Sequence, residues 1–156
     1  MRDVIKRPTR RDLLGAIAGA GIVSVICIEP SRATPASMKT AIRNVVGEAS
    51  VKKGKVRIDV PPLVENGNLV SLTIDVDSPM TSEDHVKAIH VFNELNPQPN
   101  VISVHIGLRA GRAKISTRFR LADTQTIVAI AEMSDGSFYS ASADVVVTLA
   151  ACLEQL

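Results

Sequence analysis

The chain predicts an all-β fold: an immunoglobulin-like antiparallel β-sandwich of about seven strands, preceded by one short N-terminal helix. Three observations carry the expectation. From Val56 onward the apolar residues recur with a period of two, in short runs. Such alternation builds sheets with one buried and one solvated face. The runs are separated by turn formers such as Pro61-Pro62, Glu65-Asn66-Gly67-Asn68 and Ser134-Asp135-Gly136-Ser137. Helical spacing in the body is confined to a single stretch ahead of them.

Residues 1–33 read as a twin-arginine-type signal peptide and not as part of the body. Arg2, Lys6 and Arg7 lead into Arg10-Arg11-Asp12-Leu13-Leu14, and an apolar run from Gly15 to Ile28 follows. The run is shorter than the ~20 residues that span a bilayer. Ser31-Arg32-Ala33 places small residues where a signal peptidase reads, which predicts cleavage after Ala33. The paired arginines followed by leucines match the twin-arginine pattern, which predicts a periplasmic protein with no membrane attachment after cleavage.

Cleavage would remove Cys27, one of two cysteines in the 156 residues. Cys152 is then a lone thiol without an internal disulfide partner. The remaining chain suffices for one domain, 34–149, with a C-terminal arm over 150–156. The absence of tryptophan and the scarcity of other aromatics argue against nucleic-acid stacking surfaces.

In the body, Met38, Ala41, Ile42, Val45 and Val46 fall at helical spacing between Pro35 and Gly47. The strand series then runs Val56–Val60, Val70–Val76, His85–Phe92, Val101–Ile106, Ala113–Leu121, Thr126–Met133 and Phe138–Leu149. Ala113, Ile115, Thr117, Phe119 and Leu121 share one face, and Lys114, Ser116, Arg118 and Arg120 the other. Val145-Val146-Val147 is apolar on both faces, which suits a core strand or an interface edge.

Few residues invite chemistry. His85 and His90, five apart in one strand, leave opposite faces and cannot share a metal. His90 and His105 are placed to be neighbours on adjacent strands, as ordinary strand histidines or as a metal pair. A blue-copper site needs a histidine and a methionine just after its cysteine, and Leu153-Glu154-Gln155-Leu156 supplies neither. No catalytic base is fixed near Cys152 in sequence. Glu83 with Asp84, Arg109 with Arg112, and Arg118 with Arg120 read as solvated faces. Ser134-Asp135-Gly136-Ser137 reads as a hairpin turn.

Three blocks carry a resemblance. They are Val76-Asp-Ser-Pro-Met-Thr-Ser-Glu-Asp-His-Val-Lys-Ala-Ile-His-Val-Phe92 with Asn96-Pro-Gln-Pro99, Glu65-Asn-Gly-Asn68, and Thr124-Gln-Thr-Ile-Val-Ala-Ile-Ala-Glu-Met-Ser-Asp-Gly-Ser-Phe-Tyr139. In that content they resemble SoxY, the sulfur-carrier subunit of the bacterial Sox thiosulfate-oxidation system. The resemblance implies a covalent carrier and not an enzyme, with no catalytic residue, no metal and no cofactor of its own. It implies sulfur attachment at Cys152 and a heterodimer with a SoxZ-like subunit. It also implies transient partners: SoxXA to couple thiosulfate to the arm, SoxB to release sulfate and SoxCD to oxidise the sulfur left behind.

The arm departs from the family's Gly-Gly-Cys-Gly-Gly. Ala150-Ala151 precede Cys152, and Leu153-Glu154 follow it. Alanine and leucine lack glycine's backbone freedom, and Glu154 places a negative charge near a thiol that must ionise to react. Two other readings therefore stand beside the carrier. One is a structural or regulatory paralogue that keeps the partner-binding fold without efficient carriage. The other is a homodimer linked by a disulfide through Cys152.

Overall fold

In the computed structural model, which describes residues 33–149, helix α1 (Pro35–Val46) starts from a reciprocal cap. Thr34 has an extended backbone, its hydroxyl accepts the Ser37 N–H at 3.2 Å, and its own N–H donates to the Ser37 hydroxyl at 2.6 Å. Both amides would otherwise be orphaned at a helix start, and Pro35 has no amide hydrogen to lose. Gly47, at φ 61, ends the helix and returns its N–H to Arg43 O at 2.7 Å. Ahead of the cap, Ala33 is buried and its N–H donates to Asn96 O at 2.8 Å.

Nine strands follow among the described residues: β1 (Val51–Lys53), β2 (Val56–Asp59), β3 (Leu63–Asn66), β4 (Val70–Val76), β5 (Val86–Asn93), β6 (Asn100–His105), β7 (Ala113–Phe119), β8 (Gln125–Met133) and β9 (Phe138–Leu149). They form the expected two-sheet sandwich. The larger sheet runs β1-β9-β8-β5-β6, with β3 also on β9, and the smaller runs β2-β4-β7.

Between the longer strands every pairing is antiparallel, as alternation and hairpin turns dictate. The two short strands β1 and β3 add to the expected series, and both lie parallel to β9. Their setting explains the direction. From Val51 to Val76 the chain passes from one sheet to the other at each connection, β1 to β2 to β3 to β4, so neither short strand closes a hairpin with its neighbour in sequence. The first crossing is tight, through Gly54 at φ 106 and Lys55 at φ 55, the latter a left-handed conformation uncommon outside glycine.

The inner faces meet in one core. Val56, Val70, Leu72, Ile74 and Val76 come from the small sheet, and Ile89, Val91, Ile127, Ala129, Val145 and Val147 from the large one. The large sheet also has a second buried face. There Met38, Ala41, Ile42, Val45 and Val46 of α1 pack on Phe92, Val128, Ile130 and Phe138. This third layer is why β5 shows no clean alternation: Ile89 and Val91 face one core while Phe92 faces the other. Both faces of the strand must be apolar.

Candidate functional site

The chain leaves the sandwich at the end of β9. Cys152 and the rest of 150–156 lie outside the described residues, as do Arg10 and Arg11. The structure therefore defines the base from which the arm departs.

That base is held on both sides. β9 pairs with β8 only up to Val145, opposite Gln125, and runs on past it. On one flank β3 takes over, with Leu63 opposite Val146 and Asn66 opposite Leu149. The Val146 N–H donates to Pro62 O at 2.9 Å, and the Thr148 hydroxyl to Glu65 O at 3.2 Å. On the other flank, Thr124 stands where β8 has ended, and its hydroxyl accepts the Val147 N–H at 3.0 Å. A side chain thus extends the ladder beyond the last strand pair.

Behind this exit a buried amide joins two loops. Gln125 Oε1 accepts the Leu95 N–H at 2.9 Å, while its Nε2 donates to Asn96 Oδ1 at 2.9 Å and to Asp123 O at 3.1 Å. Asn96 Oδ1 also accepts the Ala122 N–H, and its Nδ2 donates to Arg120 O at 2.7 Å. The β5–β6 and β7–β8 loops are so fixed to each other and to the start of β8. Replacing Gln125 by leucine leaves the Leu95 amide without its partner. We expect a loss of about 1–3 kcal/mol, read from urea unfolding.

The remaining candidates are scattered. His85 precedes β5, with Nδ1 3.1 Å from Thr81 O. Asp84 lies 4.0 Å from Lys55 Nζ, and Arg112 lies 3.8 Å from Asp75. Glu83 and Arg109 are exposed, as are Arg118 and Arg120, the last beside the arm base through its carbonyl. The segment from Ser134 to Ser137 forms the hairpin turn: Gly136 has φ 79, and Met133 N–H donates to Ser137 O at 2.9 Å. Asp135 accepts from the Ser137 amide and hydroxyl, which hold its carboxyl below the usual aspartate value.

His90 and His105 do come together, as diagonal neighbours: His90 faces Ser103 across the β5–β6 pair, and His105 faces Ala88. His90 Nδ1 sits 2.9 Å from the Ser103 hydroxyl, and its ring stacks at 6.5 Å on Phe92. No group of three or more His, Cys, Asp or Glu side chains among the described residues is arranged to hold a metal ion.

Burial pushes the His90 imidazole below its ordinary value of 6.5; His105 acts in the same direction and Glu132 opposes. Unfolded, His90 takes its proton near pH 6.5, whereas folded it resists until lower pH. The unfolded state then binds more protons in between, so this contribution to stability is complete above about pH 6.5 and is lost as the pH falls. We expect the urea midpoint to drop between about pH 7.5 and pH 5, and the drop to shrink in His90→Gln.

With this geometry in place, the comparisons are informative. The family model of the sulfur oxidation protein SoxY matches residues 42–152, well over half of the chain, and the match ends on Cys152. The chain belongs to the SoxY family. Among solved structures, the sulfur carrier protein SoxY from Chlorobium limicola f thiosulfatophilum matches with a TM-score of 0.62 at 26% identity, over 73% of this chain and 98% of that one. Superoxide reductase (neelaredoxin) from Ignicoccus hospitalis matches with a TM-score of 0.53 at 12% identity, over 74% of this chain and 94% of that one. At that identity the likeness shows a shared sandwich and nothing about chemistry. Comparison with the curated proteins finds no match.

For a SoxY-family chain the clamp on β9 is the informative part of the site. The family match passes the last described residue of that strand by three positions. Thr124, Gln125 and Asn96, which fix the exit, were not among the residues that sequence reasoning selected for a role. Their signal is the polar Thr124-Gln125-Thr126 run standing directly before the apolar residues from Ile127. No helix among the described residues is long and apolar enough to cross a membrane.

Proposed function

We propose that the chain is a periplasmic sulfur carrier of thiosulfate oxidation, holding sulfur intermediates covalently on Cys152 while partner enzymes process them. One observation carries the reading: the SoxY match extends through the sandwich and on to Cys152, three residues past a firmly anchored strand. A firm base suits a thiol that is presented to several enzymes in turn.

The chemistry balances on this one sulfur. The Cys152 thiolate and the outer sulfur of thiosulfate form an S–S bond, and two electrons pass to a SoxXA-like cytochrome pair. In a SoxB-like enzyme, water attacks the sulfonate sulfur. Sulfate leaves, and the electron pair of the broken bond stays on the sulfane sulfur as a persulfide. A SoxCD-like dehydrogenase then oxidises the outer sulfur of the persulfide to a sulfonate, with three waters supplying the oxygens and about six electrons passing to a cytochrome acceptor. The chain acts in a heterodimer with a SoxZ-like subunit and is itself no enzyme.

Export follows the twin-arginine route through Arg10 and Arg11, with cleavage after Ala33. Ala33 is buried and bonded to Asn96 O, so this cleavage requires the junction to be drawn out of its seat. N-terminal sequencing of the periplasmic protein is expected to begin at Thr34.

The carrier reading is tested by incubating the exported protein with thiosulfate and an oxidised SoxXA-type cytochrome, then measuring intact mass. The expected result is a reductant-labile adduct of one thiosulfate, mapped to the Cys152 peptide. Absence of an adduct overturns the reading.

The arm's composition favours a second reading, a paralogue that keeps the fold but carries sulfur poorly. On that reading, glycine at 150, 151, 153 and 154 raises the loading rate roughly tenfold, equivalent to about 1.4 kcal/mol off the barrier. An unchanged rate counts against it.

A further inference from the structure

We propose that the free edge of β7 is a docking site for an extended segment of a partner protein, one whose residues alternate acidic and apolar. Among the described residues β1, β2, β3, β6 and β7 are each paired on one side only. An unpaired edge presents a row of N–H and C=O groups to which another chain can add as a strand, and folded proteins blunt such edges by shortness, prolines, bulges or inward charges. All but one of these edges are blunted. β1 has three residues, β2 and β3 have four each, and Pro61-Pro62 lie between the last two. β6 follows Pro97 and Pro99, and its register with β5 is broken between Val91 and Phe92. β7 has seven residues in unbroken register with β4, no proline, and no charge among Ala113, Ile115, Thr117 and Phe119 on its inner face.

The charge of this edge selects the partner. From Leu95 to Ala122 the chain has no acidic residue, its longest such stretch, and five basic ones: Arg109, Arg112, Lys114, Arg118 and Arg120. Lys114, Ser116 and Arg118 stand exposed on the outer face of β7. Of the residues opposite them on β4, Asp75, Thr73 and Ser71, only Asp75 is acidic, and it lies 3.8 Å from Arg112. On the inner face Ile115 packs on the core yet is only half buried, as is Thr117. A strand added here sets acidic side chains beside Lys114 and Arg118 and apolar ones beside Ile115 and Thr117, in the alternation that strand geometry imposes.

Other occupants fit less well. Two β7 edges paired antiparallel about Ser116 would bring Lys114 of each copy against Arg118 of the other, and like charges directly opposite are destabilising. A nucleic acid would find few aromatic side chains on which to stack. The edge lies wholly within Ala113–Phe119 and is independent of sulfur carriage on Cys152.

The test titrates the exported protein with a capped synthetic peptide as long as β7, alternating glutamate with valine, while backbone amide shifts are followed by NMR. Saturable binding is expected, with the largest shifts in Ala113–Phe119. Lys114→Glu with Arg118→Glu should weaken it about tenfold, Lys114→Gln with Arg118→Gln by less, and added salt should weaken the parental complex. Alternate amides of an added strand point at the edge, so N-methylation of one alternate set should abolish binding while methylation of the other set leaves it. No binding, shifts centred elsewhere, or equal binding of a peptide with the same residues in block order overturns the proposal. A parental dimer that the peptide dissociates assigns the edge to a second copy and also overturns it. So does sedimentation with phosphatidylglycerol vesicles that the glutamate variant loses, which assigns the edge to a membrane surface.

Discussion

Cys152→Ser is expected to abolish sulfur loading while leaving the fold as it was. The first half follows from chemistry: a serine hydroxyl has no thiolate form and no sulfur with which to make an S–S bond. Thiosulfate-dependent reduction of the SoxXA-type cytochrome should fall by at least about a hundredfold, to the level without carrier. The second half follows from the architecture. β9 is fixed by β3, by Thr124 and by the Pro62 carbonyl before it reaches residue 150. A substitution past that clamp should change the unfolding free energy by less than about 0.5 kcal/mol. Cytochrome reduction and urea unfolding on the same preparation check both halves. Loading that survives in the serine variant would move the attachment site off Cys152.

The sandwich was legible in the sequence because strands such as β4 and β7 each have one polar face. β4 and β9 fall at the expected ends, Val70 to Val76 and Phe138 to Leu149. β1 and β3 were not legible, for a physical reason. Val51-Lys52-Lys53 and Leu63-Val64-Glu65-Asn66 are too short to show a period, and their pairing is with a strand more than eighty residues away in sequence. Parallel pairing to a distant strand leaves no turn signal between the partners. The same holds for the site. The diagonal meeting of His90 with His105 was within reach of strand geometry, but the amide junction of Gln125 with Asn96 depends on how two loops fold over each other. Sequence patterns constrain strand faces far more strongly than loop contacts.

Phe92→Ala tests whether the helix layer depends on the large sheet for its order. Phe92 is fully buried on the outer face of β5, where it packs with Met38, Ile130 and Phe138 and stacks on His90. Removing the ring should cost about 3–5 kcal/mol, a large part of the 5–15 kcal/mol that holds an ordinary domain together. The loss should also be uneven. α1 is twelve residues long, a length at which a helix is marginal in water, so it owes its order to this contact. Amide hydrogen exchange in α1 should then accelerate more than in β4 and β8, and the helical far-UV signal should fade before the sheets unfold. With the ring gone and water admitted, His90 should move back toward its ordinary pKa and the acid-side loss of stability should shrink. Ile74→Val is the control, because it thins the core between the sheets without touching the helix layer. It should lower stability by about 1 kcal/mol and leave the exchange of α1 in step with the rest. If both variants loosen α1 in proportion to their global cost, the helix is an integral part of the sandwich and not a separately released layer.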